Sequence, residues 1–590
     1  MIPDIPPGLL IVCGALLVPF LRGGVRKAWV LILPLTALAI AATAPEGARW
    51  TVDFLGQKLV LFHMDRLSRV FGIIFSLITV IGFVFALKVE DSLQHAAALV
   101  YAGSALGVTF AGDFLSLYVY WEFMAVASTF LVLARRTPEA RAAAFRYILV
   151  HLAGGLVLLA GIVLWYYETG SLAVGHIGLN GSASWLIFLG IAVNAAIPPL
   201  HPWLKDAYPQ STATGAVFLS AFTTKSAVYL MARTFAGTEL LIWLGAIMTF
   251  VPIFYAVLEN DIRSVLSYSL INQVGFMMCG VGIGTELAIN GTVAHAFCHI
   301  LYKALLFMAA GSVLHVTGRI RCTDLGGLYK SMPLTCLFCI VGAASISAFP
   351  LFSGFVSKSM IVSAAGYGHL SVIWLMLQFA SAGVFHHAGI KVPFFMFFSH
   401  DQGIKAKEPP LNMLLAMGTA AFLCIAVGVY PKPLYAILPF PVDYVPYTAA
   451  HVVGQLQLLL FGALAFALLM LSGVYPPEIR AINLDTDWFY RKGFRVADKA
   501  LGTVLNGVNK AAAGLFFGVI PGAAARFSSN APVRIAGAPL AGLFWLLGCR
   551  GQYLKFRMDF LRKSFEKESL PVGWAAAAVA VMFVLLYVWN

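Results

Sequence analysis

The sequence predicts an all-α polytopic membrane protein with about sixteen transmembrane helices. Three observations lead there. Of 590 residues, 60% are apolar and only 11% are Asp, Glu, Lys or Arg, with a mean hydropathy of +0.86. Ordinary soluble chains carry about 25% charged residues, so this chain has too little charge to cover the several domains its length would need in water. Soluble enzymes, nucleic-acid binders and disordered scaffolds are thereby excluded. Second, apolar runs close to the roughly 20 residues that cross a bilayer recur along the chain. Third, loop cations alternate with the spans.

The runs fall near 6–21, 28–43, 66–87, 95–111, 113–134, 147–167, 184–204, 213–235, 239–258, 263–283, 287–317, 333–367, 370–398, 411–430, 453–474 and 571–589. The first lacks a basic start and a small-residue cleavage site, so it reads as a span and not a signal peptide. The twelfth is too long for one straight span. Pro350 and Gly354 inside it predict a broken helix.

Arg22, Arg26 and Lys27 follow the first span, and Arg135, Arg136 and Arg141 the fifth. Arg263 follows the ninth, Arg319 and Arg321 the eleventh, and Lys405 and Lys407 the thirteenth. All follow odd-numbered spans. The positive-inside rule therefore places these loops in the cytoplasm and both termini outside the inner (cytoplasmic) membrane, with Arg66 and Arg69 running mildly against the pattern. The net charge is +13, and +7 of it comes from residues 477–570, where 14 Lys/Arg face 7 Asp/Glu. Cations such as Arg491, Lys492, Arg495 and Lys499 alternate there with apolar runs (Ala511 to Pro521, Ala538 to Leu547). That mix predicts cytoplasmic amphipathic helices lying along an interface or a bundle flank.

The eight Cys are scattered. Cys336 and Cys339 form a CxxC inside TCLFCIVG with no second pair, so they read as packing residues. No metal site is expected.

Ionisable groups inside spans are costly and usually functional. Glu122 sits in LSLYVYWEFMAVAS, Lys225 in AVFLSAFTTKSAVYLM, and Lys358 in PLFSGFVSKSMIVSA beside the expected break. His295, His299 and Lys303 are spaced four and four, which stacks them on one helix face. Lys391 follows His386 and His387 by one turn; near a span end these could also snorkel or bond a carbonyl. Haem ligation would need His on two facing helices, and no second matching row exists. A desolvated amine and an imidazole can both exchange protons near neutral pH. An acid, a Lys, a His-and-Lys row and a further Lys are together what a proton path needs.

At these residues the chain resembles the antiporter-like membrane subunits of respiratory complex I and of Mrp-type cation/proton antiporters, most of all the Mrp D-subunit type. The resemblance rests on AGDFLSLYVYWE (111–122), PLHPWLKDAYP (199–209), TTKSAVYLMAR (223–233), NDIRSVLSYSLINQVGF (260–276), HAFCHILYKALLFMAAGSVLH (295–315) and AFPLFSGFVSK (348–358). LDTDWFYRKG (484–493) is similar to a segment of extended D-type chains. The resemblance implies two inverted five-helix repeats, spans 4–8 and 9–13, with broken helices at span 7 (Pro198, Pro199, Pro202) and span 12. The implied organisation is N-terminal spans 1–94, first repeat 95–235, second repeat 239–398, two further spans 411–474, a lateral region 477–570 and a final span 571–590. It also implies a proton pathway of Glu122, Lys225, His295, His299, Lys303 and Lys358, to which the residue reading adds Lys391. One departure stands out: the family usually carries a Lys on span 7 as partner of the span-5 acid, and the matching position here is Asn194.

The expected function is a proton-translocating subunit of a multisubunit membrane complex, either an Mrp-type antiporter exchanging a cation such as sodium or a redox-driven pump. No nucleotide, flavin or Cys-cluster motif is present, so no cofactor is expected in this chain and any redox chemistry belongs to other subunits. The expected partners are those membrane subunits, protons and the lipid bilayer, and not nucleic acid. Two alternatives stay open: a structural or coupling subunit, and a proton-flow partner of an energy-coupled capture complex such as one for bicarbonate.

Overall fold

The computed structural model describes residues 4–54, 56–476, 478–479, 483–567, 579–580 and 582–583. The expected final span, 571–589, thus lies almost wholly outside the described residues. The chain forms two units, Met1–Asp487 and Trp488–Asn590.

The first unit opens with α1 (Pro7–Ala15) and α2 (Gly23–Thr43). A two-stranded antiparallel hairpin follows, β1 (Gly47–Phe54) and β2 (Gln57–Met64). Hydropathy alone reads this stretch as a loop between spans. Once paired, β2 is the inner strand: Leu59, Phe62 and Met64 are buried while β1 is largely exposed, and Gly56 turns the chain at φ +76°. Next come α3 (Arg66–Ala86), α4 (Ser92–Phe110), α5 (Phe114–Leu133) and α6 (Pro138–Thr169). Asp65 starts α3 with a capping box, accepting from Ser68 N at 2.8 Å while Ser68 Oγ accepts from Asp65 N at 2.8 Å. Asp65 also pairs with Arg233 at 2.7 Å. Burial opposes ionisation of this carboxyl, but the Arg233 guanidinium outweighs it and holds the pKa at about 2. Asp113 caps α5 through Ser116 N at 2.7 Å and accepts Val60 N of the hairpin at 2.7 Å.

The seventh expected span is broken. α7 (Gly181–Ala195) ends at Ala196, whose φ is +58°, and α8 (Pro202–Ala207) resumes after Pro198 and Pro199. The eighth is broken too, against the expectation of one continuous helix: α9 (Gly215–Ala221) and α10 (Thr223–Thr234) meet at Phe222. Then α11 (Glu239–Leu258), α12 (Ile262–Ile283) and α13 (Glu286–Thr317) run unbroken. The expected twelfth-span break lies between α14 (Pro333–Ile346) and α15 (Ser353–Tyr367), where Ala348 and Leu351 have φ of +56° and +75°. α16 (Ser371–Val384) continues into two π-helical turns, Phe385–Lys391 and Phe394–Phe398. α17 (Leu411–Val429), the short α18 (Lys432–Ala436) and α19 (Ala449–Leu471) complete the helices of this unit.

Eleven helices among the described residues are long and apolar enough to cross a membrane. Ten of them coincide with expected spans, while the eleventh, Arg491–Phe527, falls in the stretch expected to be a cytoplasmic lateral region. The other expected spans with described residues correspond to shorter or less apolar helices, such as α1, α4, α7 and α14. Burial grades inward: the best-fitting windows of α12 and α13 are each 94% buried, and that of α9–α10 is wholly buried. Close backbone approach helps. A Cβ on Gly8 of α1 would lie 2.6 Å from Gly107 N of α4, the small-residue contact by which membrane helices pack without a hydrophobic drive between them.

Arg263, read from sequence as a loop cation, is instead fully buried at the start of α12. It donates to Ser211 O (2.9 Å), Tyr208 O (3.0 Å), Ser211 Oγ (2.8 Å) and Thr212 O (3.2 Å), tying the α8–α9 connection down. The second unit contains α20 (Asp487–Ala513), a π-helical turn at Gly514–Val519, α21 (Ile520–Leu546) and α22 (Gln552–Lys567), with α22 packed on α21.

Candidate functional site

Helix breaks position two of the expected lysines. At Phe222 the helical ladder is interrupted, and the freed Ser220 carbonyl accepts Lys225 Nζ at 2.6 Å, with Thr224 Oγ1 at 3.2 Å. At the α14–α15 break, Ile346 O accepts Lys358 Nζ at 2.9 Å. Irregular backbone inside a membrane protein persists where such groups re-satisfy it. Lys358 also lies over the Phe276 ring at 5.1 Å. Lys303 donates to Ser269 Oγ at 3.0 Å and Leu266 O at 3.3 Å of α12. All three lysines are buried.

The α13 row occurs as the spacing requires. His295 Nδ1 lies 3.1 Å from Ser357 Oγ of α15, and Nε2 lies 3.2 Å from Gln273 Oε1 of α12. Tyr302 OH donates to the same Gln273 oxygen at 3.1 Å. His299 is fully buried and finds no hydrogen-bond partner for either ring nitrogen among the described residues. The structure brings Lys225, His295, Lys303 and Lys358 within electrostatic reach of the His299 imidazole.

Glu122 stands apart from this cluster. It is half-buried on α5, with Oε1 enclosed and unpartnered among the described residues. It rests on Gly155 of α6: a Cβ there would fall 1.8 Å from Oε1. Asn194, at the position of the usual Lys, instead has its Oδ1 2.7 Å from His151 Nδ1. The His151 ring lies 4.2 Å from that of Tyr147 and 4.5 Å from that of Trp203. Trp203 Nε1 donates to Val193 O at 2.9 Å, and Tyr147 OH is 2.9 Å from Ser128 Oγ. Sequence reasoning missed His151. The signal was available: it sits in YILVHLAGGLV, an ionisable residue in an apolar run like those singled out.

Lys391 is fully buried at the end of a π-helical turn. It donates to Val257 O at 2.6 Å and Glu259 O at 2.7 Å, carbonyls at the end of α11. Glu478 pairs with it at 2.8 Å. Asp485 pairs with His201 at 3.2 Å and accepts from Tyr268 OH at 2.7 Å. Burial opposes ionisation of Asp485, but the His201 and Tyr268 hydrogen bonds hold its carboxyl below the usual carboxylate range. Neither acid was singled out from sequence. Each meets its partner across a large chain separation that local pattern does not carry.

A cleft of about 650 Å³ reaches Lys358; its lining is mostly apolar, with Phe355, Trp374 and Phe461 beside Ser359, Ser363 and His451. Among the described residues no group of His, Cys, Asp and Glu could hold a metal ion.

Comparison with known proteins gives this geometry a family. Residues 111–385 match the family model described as NADH:quinone oxidoreductase/Mrp antiporter, TM. The chain is 28% identical over 491 residues to the A-type subunit of the Na(+)/H(+) antiporter of Alkalihalophilus pseudofirmus, covering 72% of this chain and 61% of that protein. It is 30% identical over 376 residues to the N-type subunit of the NADH-quinone oxidoreductase of Desulforudis audaxviator, covering 58% of this chain and 75% of that one. A chain of the membrane-bound sulfane sulfur reductase, an archaeal respiratory membrane complex, matches in structure with a TM-score of 0.66 and 26% identity, over 73% of this chain and 95% of that chain. This chain thus spans about three-quarters of the oxidoreductase relative but only about three-fifths of the antiporter relative. The matched residues 111–385 span the helix breaks and Lys225, His295, His299, Lys303 and Lys358, and the chain belongs to the NADH:quinone oxidoreductase/Mrp antiporter transmembrane family.

Proposed function

We propose that this protein is a proton-translocating, antiporter-like subunit of a multisubunit membrane complex. The observation that carries the reading is the cluster around His299: one unpartnered buried imidazole within reach of Lys225, Lys303, His295 and Lys358. Buried polar groups normally find a partner, and a buried imidazole left without one is a natural station for a bridging water. In this reading protons load through the half containing Glu122 and Lys225. They pass to His299, Lys303 and His295, and reach Lys358. The cleft beside Lys358 is the outlet. The protein moves each proton between side chains; the energy comes from a cation gradient, such as sodium, or from redox chemistry in other subunits.

The same proposal places the chain in the cytoplasmic membrane with loops 318–332 and 399–410 inside, on the basis of their cations. It takes α4–α10 and α11–α16 as two inverted repeats, each with a broken helix. The region after residue 477 serves as a lateral element toward neighbouring subunits.

A second reading, a structural or coupling role, is favoured by one observation. Asn194 is engaged with His151, so Glu122 lacks the amine that the family usually supplies. One experiment separates the two. The complex is reconstituted into vesicles with an internal pH probe, and Lys225→Ala is compared with the native chain. Proton translocation expects loss of acidification with assembly intact; unchanged acidification favours the structural role.

A further inference from the structure

We propose that Glu478 and Lys391 form a second proton port, which loads the α13 row from the side bearing loops 318–332 and 399–410. The inference rests on the proton-translocating reading above and extends it to residues outside the family's motif.

Four observations converge. Glu478 lies on the wall of a cleft of about 340 Å³, whose lining includes Thr323, Ser399, His400 and Gln402 from those two loops. Its other side meets Lys391 Nζ at 2.8 Å, and the two side chains are 8% and 0% exposed. Both carboxylate oxygens are enclosed, so the side chain stands between the wall of this largely apolar cleft and a sealed amine. Next, Lys391 closes a π-helical turn, a helical irregularity frequent at functional sites. One turn earlier, His387 is fully buried and has no hydrogen-bond partner at either ring nitrogen among the described residues. His387 lies within electrostatic reach of both Lys391 and Lys303. Electrostatic interactions thus relate Lys391, His387 and Lys303 in order from the Glu478 pair toward the α13 row.

A purely structural ion pair is the competing account. Breaking a buried pair is costly, so structure alone could retain it. Two features weigh against that account. Lys391 already donates to the Val257 and Glu259 carbonyls, so it does not need Glu478 to satisfy it. A structural pair also gives no reason for an unpartnered imidazole immediately inward of it. Burial pushes the Glu478 carboxyl above its usual range and Lys391 only partly offsets this, which suits a group that gains and loses a proton. In the transfer, the Lys391 ammonium first gives a proton to His387; Glu478, protonated by water entering from the cleft side, then reprotonates the Lys391 amine, and the carboxylate is restored for the next proton.

The test uses the reconstituted complex and the internal pH probe. Glu478→Gln keeps the shape and removes the exchangeable proton. Proton movement should fall roughly 10²-fold, the scale of losing a positioned acid–base group, with part recovered in Glu478→Asp. Native flux in Glu478→Gln, with Lys303→Ala inactive, overturns the port alone. Native flux in both overturns the translocation reading and the port with it. Should Glu478→Gln fail to assemble, Gln402→Cys at the cleft rim gives an independent measurement. Flux should drop after a bulky, membrane-impermeant maleimide is added on the side of loops 318–332 and 399–410. Complete labelling with no change in flux overturns the port.

Discussion

Replacing Gly155 with Ala tests whether the seat of Glu122 matters. The added methyl would lie 1.8 Å from Oε1, 2.8 Å from Cδ and 3.3 Å from Oε2. Ordinary contact needs about 3.5 Å, so the carboxylate must retreat by roughly 1.5 Å. It can do so, because it is the end of a flexible side chain on a half-buried residue. The off-rotamer cost is about 1 kcal/mol, similar to what Ala returns over Gly inside a helix. Stability should therefore barely change. Transfer is another matter: a shift of about 1 Å in a positioned group can cost on the order of 10²-fold in rate. The assay is vesicle acidification by the assembled complex, with Glu122→Gln alongside and native gels to verify assembly. The account predicts that both variants assemble and both lose most of the flux. Full flux in Gly155→Ala beside a dead Glu122→Gln would refute the argument from position. Full flux in both would remove the first-half loading route.

Asn194→Ala deletes the 2.7 Å contact to His151 and leaves a buried ring nitrogen unpaired. It should cost about 1–3 kcal/mol, read as a lower Tm of the purified complex in detergent. Asp65→Asn removes the pairing with Arg233. The Asp65 carboxyl sits at about 2 in the folded chain against an ordinary 3.8, so its stabilisation is complete above 3.8 and lost as pH falls through about 2. Its side chain is 32% exposed, which trims the expected loss near neutrality to about 1–2 kcal/mol. The difference in stability between native and Asp65→Asn protein should shrink toward zero below pH 2; a difference that persists there would assign it to packing.

Much of the fold was legible because membrane helices announce themselves by length and apolarity, and because Pro198–Pro199 and Pro350 cannot continue a helix. The break at Phe222 was not, since no Pro or Gly marks it; the Lys225–Ser220 contact beside it is visible only in the structure. The hairpin was hidden for a different reason. Its strands are only eight residues each and lack a regular in–out alternation, beside long apolar helices that dominate any hydropathy window. The α13 row was legible from four-residue spacing alone. That spacing did not reveal Ser357 and Gln273, which come from α15 and α12 to hold His295. Arg263 shows the limit of charge counting: a cation beside a span end looks like a loop residue until the carbonyls of residues 208–212 are seen to enclose it. Glu478 and Asp485 looked like ordinary charges of a basic, amphipathic region, and only tertiary structure pairs them with Lys391 and His201.

The central claim is that protons cross the middle of this protein by way of His299. A map of the assembled complex at a resolution that shows ordered water tests it most directly. The account predicts water bonded to the His299 ring nitrogens and linking Lys225 with Lys303. A dry, close-packed contact around His299, with no water between those lysines, would contradict it.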